Sequence, residues 1–276
     1  MAAAAPPSAA LPASAWLRWS GTALAATAWL SAALFGAYIV FFHVGAAALG
    51  RPAEWNSVLP GLFAAEARLA TAGIAAHFVA GAILLLLGPI QLIGAVRRAA
   101  PAFHRWTGRL YVASALVAGL GGLAFILAKG TIGGPVMDIG FGLYGALVVA
   151  AAIETYRHAR ARRLERHRAW AIRLFALAIG SWLYRMAYGL WFAIGDSAGH
   201  ASDFRGPFDL VMDFAFYLPN LAVAELFIRA RAAPARRTLQ TASAGLLAAA
   251  AALLALATWE FARLAWLPGI AHRLGG

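Results

Sequence analysis

His77 stands in an apolar stretch with a glycine one turn away on either side, Gly73 and Gly81, and the pattern continues at helical spacing through Leu84, Gly88 and Gln91. Residues three and four apart share one helix face, so this imidazole lies on a stripe of small and polar residues that should face other helices. Two other apolar stretches carry charge. Arg185 has Ser181 and Gly189 a turn to either side, while Asp209, Asp213 and Asn220 follow one another at i, i+4 and i+11 on one face. Asp138 opens a further apolar run. Ionisable groups at the centre of a membrane helix cost about 2.5 to 3.5 kcal/mol on insertion scales, so those that persist turn toward protein, water or a cofactor. His77, Gln91, Asp138, Arg185, Asp209 and Asp213 are therefore candidates for a ligand or proton site. The same residues allow a plainer reading, an Asp–Arg ion pair that pins two helices together.

The histidines add a redox option. A b-type haem held between helices needs axial imidazoles at matching depth on facing helices, and small residues that let the macrocycle approach. His77 beside Gly81 meets half of that requirement, with His43, His104 and His167 as the possible partners. Arginines flank His104 and His167, which suits contact with phosphate or lipid headgroups equally well. Other chemistries find no foothold. Cysteine is absent, which removes disulfides, iron–sulfur clusters, thiolate zinc sites and cysteine nucleophiles. The sequence has no His-Glu-x-x-His zinc pair, phosphate-binding loop or Gly-x-Ser-x-Gly elbow, so no catalytic residue can be named.

What must position these residues is a membrane bundle. The chain is 62% hydrophobic and 12% charged, against roughly a quarter charged in soluble domains, so its exterior must face lipid. Seven apolar segments reach the roughly 20 residues that a bilayer requires, at 21–44, 71–95, 107–128, 135–156, 169–194, 207–228 and 242–267. The expected fold is thus an all-α, polytopic transmembrane bundle of about seven helices forming a single domain over 21–267. Residues 1–20, rich in Ala, Pro and Ser, read as a disordered tail before an uncleaved first helix, and 268–276 as a short tail. The net charge of +12 is spread between apolar runs, a topology signal and not a nucleic-acid surface. Arginines crowd alternate loops: Arg97, Arg98, Arg105 and Arg109, then the loop of Arg157 to Arg168, then Arg229 to Arg237. Cytoplasmic loops retain such residues, which places the N-terminus inside and the C-terminus outside, and puts His77, Asp138, Arg185, Asp209 and Asp213 in the outer half. Trp16, Trp19, Trp55, Trp106, Trp170, Trp191 and Trp266 fall near segment ends, as interfacial belt residues do. Toward the inner side Glu154, Arg173 and Glu225 can snorkel and pair, and Glu260 with Arg263 forms a local pair.

Two inner-side stretches echo each other: His104-Arg105-Trp106-Thr107-Gly108-Arg109-Leu110-Tyr111 and His167-Arg168-Ala169-Trp170-Ala171-Ile172-Arg173-Leu174-Phe175. A duplicated helix pair would produce this, and so would any inner loop entering a membrane helix. Together with His77-Phe78-Val79-Ala80-Gly81, Leu87-Gly88-Pro89-Ile90-Gln91 and Arg185, these motifs resemble the bacterial predicted integral membrane proteins grouped as domain of unknown function 2306. The resemblance covers about 71–194. It implies that His77, Gln91, His104, Arg109, His167, Arg173 and Arg185 are motif positions, with Ala171 standing where the family commonly has Met. It also implies residence in the cell inner membrane, and it supplies no reaction. Three functional expectations follow: a redox module holding haem b, a carrier for a small solute or proton at the Arg/Asp/His site, and an assembly factor contacting the lipid bilayer. In the third, His104, Arg105, Arg109, His167, Arg168 and Arg173 form an inner-face motif for anionic headgroups.

Overall fold

Prolines open three of the long helices. Pro101, Pro135 and Pro207 each stand at the start of a helix, where a missing N–H costs nothing. The computed structural model describes residues 13–57, 63, 65–66, 68–195, 197–232, 236–268 and 270–271. Its elements are α1 (Ala13–Ile39), a π-helical turn (Val40–Val44), α2 (Gly45–Ala48) and a 3-10 turn (Pro52–Ser57), then α3 (Arg68–Leu92), α4 (Gly94–Ala99), α5 (Pro101–Lys129) and α6 (Pro135–Arg160). There follow α7 (Leu164–Ala178), α8 (Gly180–Ile194), α9 (Pro207–Ala215), α10 (Leu218–Ala232) and α11 (Arg237–Phe261), the last continued by a π-helical turn (Ala262–Trp266). Among the described residues there is no strand. Among the described residues six stretches are long and apolar enough to cross a membrane: Ala13–Ala48, Thr71–Leu92, Pro101–Lys129, Pro135–Arg160, Pro207–Ala232 and Arg237–Leu264. The protein is a polytopic helical bundle.

The segment expected at 169–194 departs from this plan. It begins at Leu164 and divides at Ile179 into two 15-residue helices, α7 and α8. Side chains from elsewhere explain the break. The Ala176 carbonyl accepts from Asn220 Nδ2, and the Leu177 carbonyl accepts from Tyr144 OH at 2.8 Å. Donors inserted at successive carbonyls interrupt a helical ladder. Gly180 follows at once, with the Tyr144 ring against the place a Cβ would occupy.

The first helix also differs from expectation, beginning at Ala13 and not at Gly21. Leu17 and Ser20, assigned to the tail, are buried, and Leu17 packs with Ala230 of α10 and Ala244 and Leu247 of α11. That contact rewards ordering the extra turns. Residues 1–12, 269 and 272–276, which include most of the two expected tails, lie outside the described residues.

The main core joins Leu84 of α3, Ala115 of α5, Ala151 of α6, Leu174 and Leu177 of α7, Tyr188 of α8 and Tyr217 before α10. A second core packs Phe35 and Ile39 of α1 with Trp182 and Met186 of α8 and Leu254 of α11. Helices approach closely at Gly140, where a Cβ would stand 2.5 Å from the Asp213 carbonyl oxygen, and at Gly189, where it would overlap the Phe261 ring. Arg231 lies within electrostatic range of Arg18, Arg97, Glu165 and Arg168, so the arginine-rich segments gather at one basic end. Trp16, Trp19 and Trp106 are exposed, whereas Trp55 and Trp266 are buried. Trp55 donates to the His43 carbonyl at 2.9 Å and Trp266 packs 5.7 Å from the Phe35 ring, so tertiary packing, not the interface, claims both.

Candidate functional site

Arg185 sits on a helix that is covered on most sides. Trp182 and Met186 pack into the second core and Tyr188 into the first. Phe192, seven residues on and so on nearly the same face as Arg185, is 43% exposed. The Arg185 side chain is exposed. Its guanidinium lies 5.8 Å from the Phe35 ring of α1, and Nη1 donates to the Ser181 carbonyl at 3.3 Å. The charge falls within electrostatic range of His43 on the π-helical turn, His77 on α3 and Tyr144 on α6. An exposed group flanked on these sides occupies a recess within the bundle.

The small-residue stripe of α3 carries His77, which lies within electrostatic range of Arg185. At the basic end the stripe is tightly packed: a Cβ at Gly88 would stand 3.0 Å from Phe175 and 3.2 Å from Tyr111, and Leu84 is buried. To either side of His77 the packing opens. A Cβ at Gly81 or Gly73 would meet nothing within 4 Å. His77 is half-buried there, with the Ala118 backbone within hydrogen-bonding range.

His43 reaches the same place because the helix widens. A π-helical turn inserts an extra residue and re-aims the side chains beyond it, a feature that often marks functional sites. The His43 ring lies 4.9 Å from the Phe78 ring, its carbonyl is held by Trp55, and its buried Nδ1 has no partner among the described residues.

The aspartates do not pair with Arg185. Among the described residues neither Asp209 nor Asp213 has an oxygen within 4.0 Å of a guanidinium nitrogen of Arg185. Asp209 is claimed by the start of its own helix. Its Oδ2 accepts from the backbone N–H groups of Ala201 and Gly206, each at 2.9 Å, and its Oδ1 accepts from Tyr188 OH at 2.7 Å and contacts His200 Nδ1 at 2.7 Å. Tyr184 OH donates in turn to Tyr188 OH at 3.1 Å. A continuous polar chain thus runs from Tyr184, beside Arg185, through Tyr188 and Asp209 to His200 in the α8–α9 connection. Asp213, one turn on, is fully buried against Gly140, and neither of its oxygens has a hydrogen-bond partner among the described residues. Asp138 is also occupied near a helix start, where its Oδ1 accepts from Thr131 N at 2.6 Å.

Gln91 lies apart from Arg185, toward the basic end. Its Nε2 donates to Thr107 Oγ1 at 2.6 Å, across Gly108, where a Cβ would crowd the Gln91 oxygen. His167 Nδ1 contacts the Thr155 carbonyl at 3.0 Å, and His104 lies within electrostatic range of His167. Arg173 donates twice to Glu225 Oε2, at 3.0 and 2.6 Å, and lies over the Trp170 ring at 4.8 Å. Arg168 pairs with Glu165 at 3.1 Å, Arg109 lies 5.4 Å from the Trp106 ring, and Arg105 is exposed. The expected Glu260–Arg263 pair is formed at 2.6 Å. The two echoing motifs open unlike helices, a continuous 29-residue α5 and a 15-residue α7.

Tyr144, Tyr184, Tyr188 and His200 were not singled out from the sequence. Tyrosines in an apolar helix resemble core residues, although Tyr184 and Tyr188, a turn apart and bracketing Arg185, carried a readable signal. His158, placed in a loop by the sequence, is buried in the last turns of α6. Among the described residues no group of three or more His, Asp or Glu converges to hold a metal ion.

No curated protein and no solved structure matches the chain. One family model does, described as predicted membrane protein (DUF2306), over residues 74–228. The match covers just over half of the chain and runs past α8 to include Asp209, Asp213 and most of α10. The protein is thus an integral membrane protein that belongs to the DUF2306 family.

Proposed function

We propose that this is a multi-pass inner-membrane carrier that binds a small anionic solute in the recess around Arg185. One observation carries the reading: an exposed guanidinium beside Phe35, His43 and His77 of an apolar bundle, with no carboxylate within 4.0 Å among the described residues. Intramembrane charges are retained where something balances them. A carboxylate or phosphate ligand supplies that balance by charge-assisted, bidentate hydrogen bonds. His43 and His77 stand ready as further donors. The Tyr184–Tyr188–Asp209–His200 chain offers a route by which a proton accompanies the anion.

The test is thermal unfolding of the purified protein in detergent with acetate, succinate, citrate and inorganic phosphate in turn. Stabilisation by at least one anion, abolished in Arg185→Gln and partly kept in Arg185→Lys, is expected. Equal responses of wild type and Arg185→Gln to every anion end the proposal. Gly81→Leu gives an independent check: a Cβ there meets nothing within 4 Å, so the fold is expected to survive and the anion response to be lost.

A second reading, a haem b module, draws on the convergence of His43 and His77 toward Arg185 beside the open face of Gly81. An absorbance spectrum decides it. A Soret band that His77→Ala removes supports haem, and its absence after haem-sufficient expression ends the reading.

A further inference from the structure

A cavity of about 710 Å³ opens at the basic end between α6 and α7, away from the Arg185 recess. Its polar lining is Glu154, Arg157, His158, Arg166 and Arg173, and its apolar side is Trp170 with Ala150 and Ala169. Three arginines thus face one carboxylate. Glu154 is already engaged by Arg157 at 2.6 Å and by His158 Nε2 at 3.3 Å, while Arg173 is held by Glu225 outside the lining. Arg166 has no carboxylate within 4.0 Å among the described residues, which leaves the cavity with excess positive charge. His158, only 3% exposed, forms part of the wall and contacts Glu154 through Nε2.

The position of the cavity selects the guest. It lies where α6 ends its membrane-spanning stretch at Arg160, the level at which lipid phosphates stand. A Trp and two Ala on one side with arginines on the other match a molecule that is apolar at one end and anionic at the other. We infer that this cavity is a binding site for an anionic phospholipid, its phosphate between Arg157 and Arg166 and the start of its acyl chain against Trp170 and Ala150. The inference is independent of the anion site proposed at Arg185.

Full-length protein in detergent is heated with phosphatidylglycerol, with phosphatidylcholine and with inorganic phosphate. Phosphatidylglycerol raises Tm, and the other two leave it unchanged. Arg166→Glu, which breaks no ion pair formed among the described residues, removes most of that rise while leaving the lipid-free Tm within a few degrees of wild type. The double change Arg157→Gln/Arg166→Gln does the same. Arg98→Gln, an exposed arginine at the same end but outside the cavity, keeps the full rise. Equal stabilisation by phosphatidylcholine, stabilisation by inorganic phosphate alone, an undiminished rise in both cavity variants, or an equal loss in Arg98→Gln would each overturn the inference.

Discussion

Asp209 and Asp213 sit one turn apart on the same helix face, both fully buried, yet their surroundings oppose each other. Asp209 collects a tyrosine, a histidine and two backbone N–H groups, and truncating one member of such a buried constellation strands the rest. Asp209→Ala is expected to cost about 3 kcal/mol, read by unfolding in mixed micelles. Asp213 has no bonded oxygen to lose, so Asp213→Asn should leave Tm unchanged or raise it. A loss from Asp213→Asn as large as from Asp209→Ala would contradict that assignment. At this scale His77 and Arg185 were legible from types and spacing alone, because a charge inside an apolar run must be accounted for. Their surroundings were not. The π-helical turn that brings His43 inward and the capping duty that takes Asp209 away from Arg185 both depend on backbone geometry that spacing at 100° per residue does not contain.

Among the helices, glycines separate contacts that cannot give from faces that stand open. Gly140 meets the Asp213 backbone and Gly189 meets the Phe261 ring, so Gly140→Leu and Gly189→Leu should each destabilise by about 1 to 3 kcal/mol or more. Gly81→Ala meets nothing and gains helix propensity, so its stability should be equal to wild type or higher by up to about 1 kcal/mol. Unfolding of the three variants side by side checks the contrast, and a Gly81→Ala destabilised like the other two would overturn it. Most segment positions were readable from hydropathy, since lipid leaves a chain little choice but continuous helix. The division at Ile179 was hidden for a physical reason: the donors that interrupt the ladder, Tyr144 and Asn220, are supplied by residues more than thirty positions away.

Taken as one body, the bundle has arginines gathered at one end and the Arg185 recess toward the other. The arrangement predicts sidedness directly. The natural chain has no cysteine, so single cysteines introduced at Ala161, in the arginine-rich α6–α7 connection, and at Ser202, in the α8–α9 connection, can be labelled without background. A membrane-impermeant maleimide applied to intact cells should modify Ser202→Cys and spare Ala161→Cys. The reverse pattern would invert the topology and move the recess to the cytoplasmic half. The whole-molecule fold was the most legible level, because composition alone dictates the solvent. The division at Ile179 has a mechanical outcome for this body. Its lower rod is moored by Arg173 to Glu225 of α10, and its upper rod, which bears Arg185, is wedged into the two cores by Trp182, Met186 and Tyr188 and tied by the Tyr188 hydroxyl to Asp209. With both rods clamped the joint is a fixed elbow and not a hinge, so Arg185 is held in place by the same packing that seats the two cores.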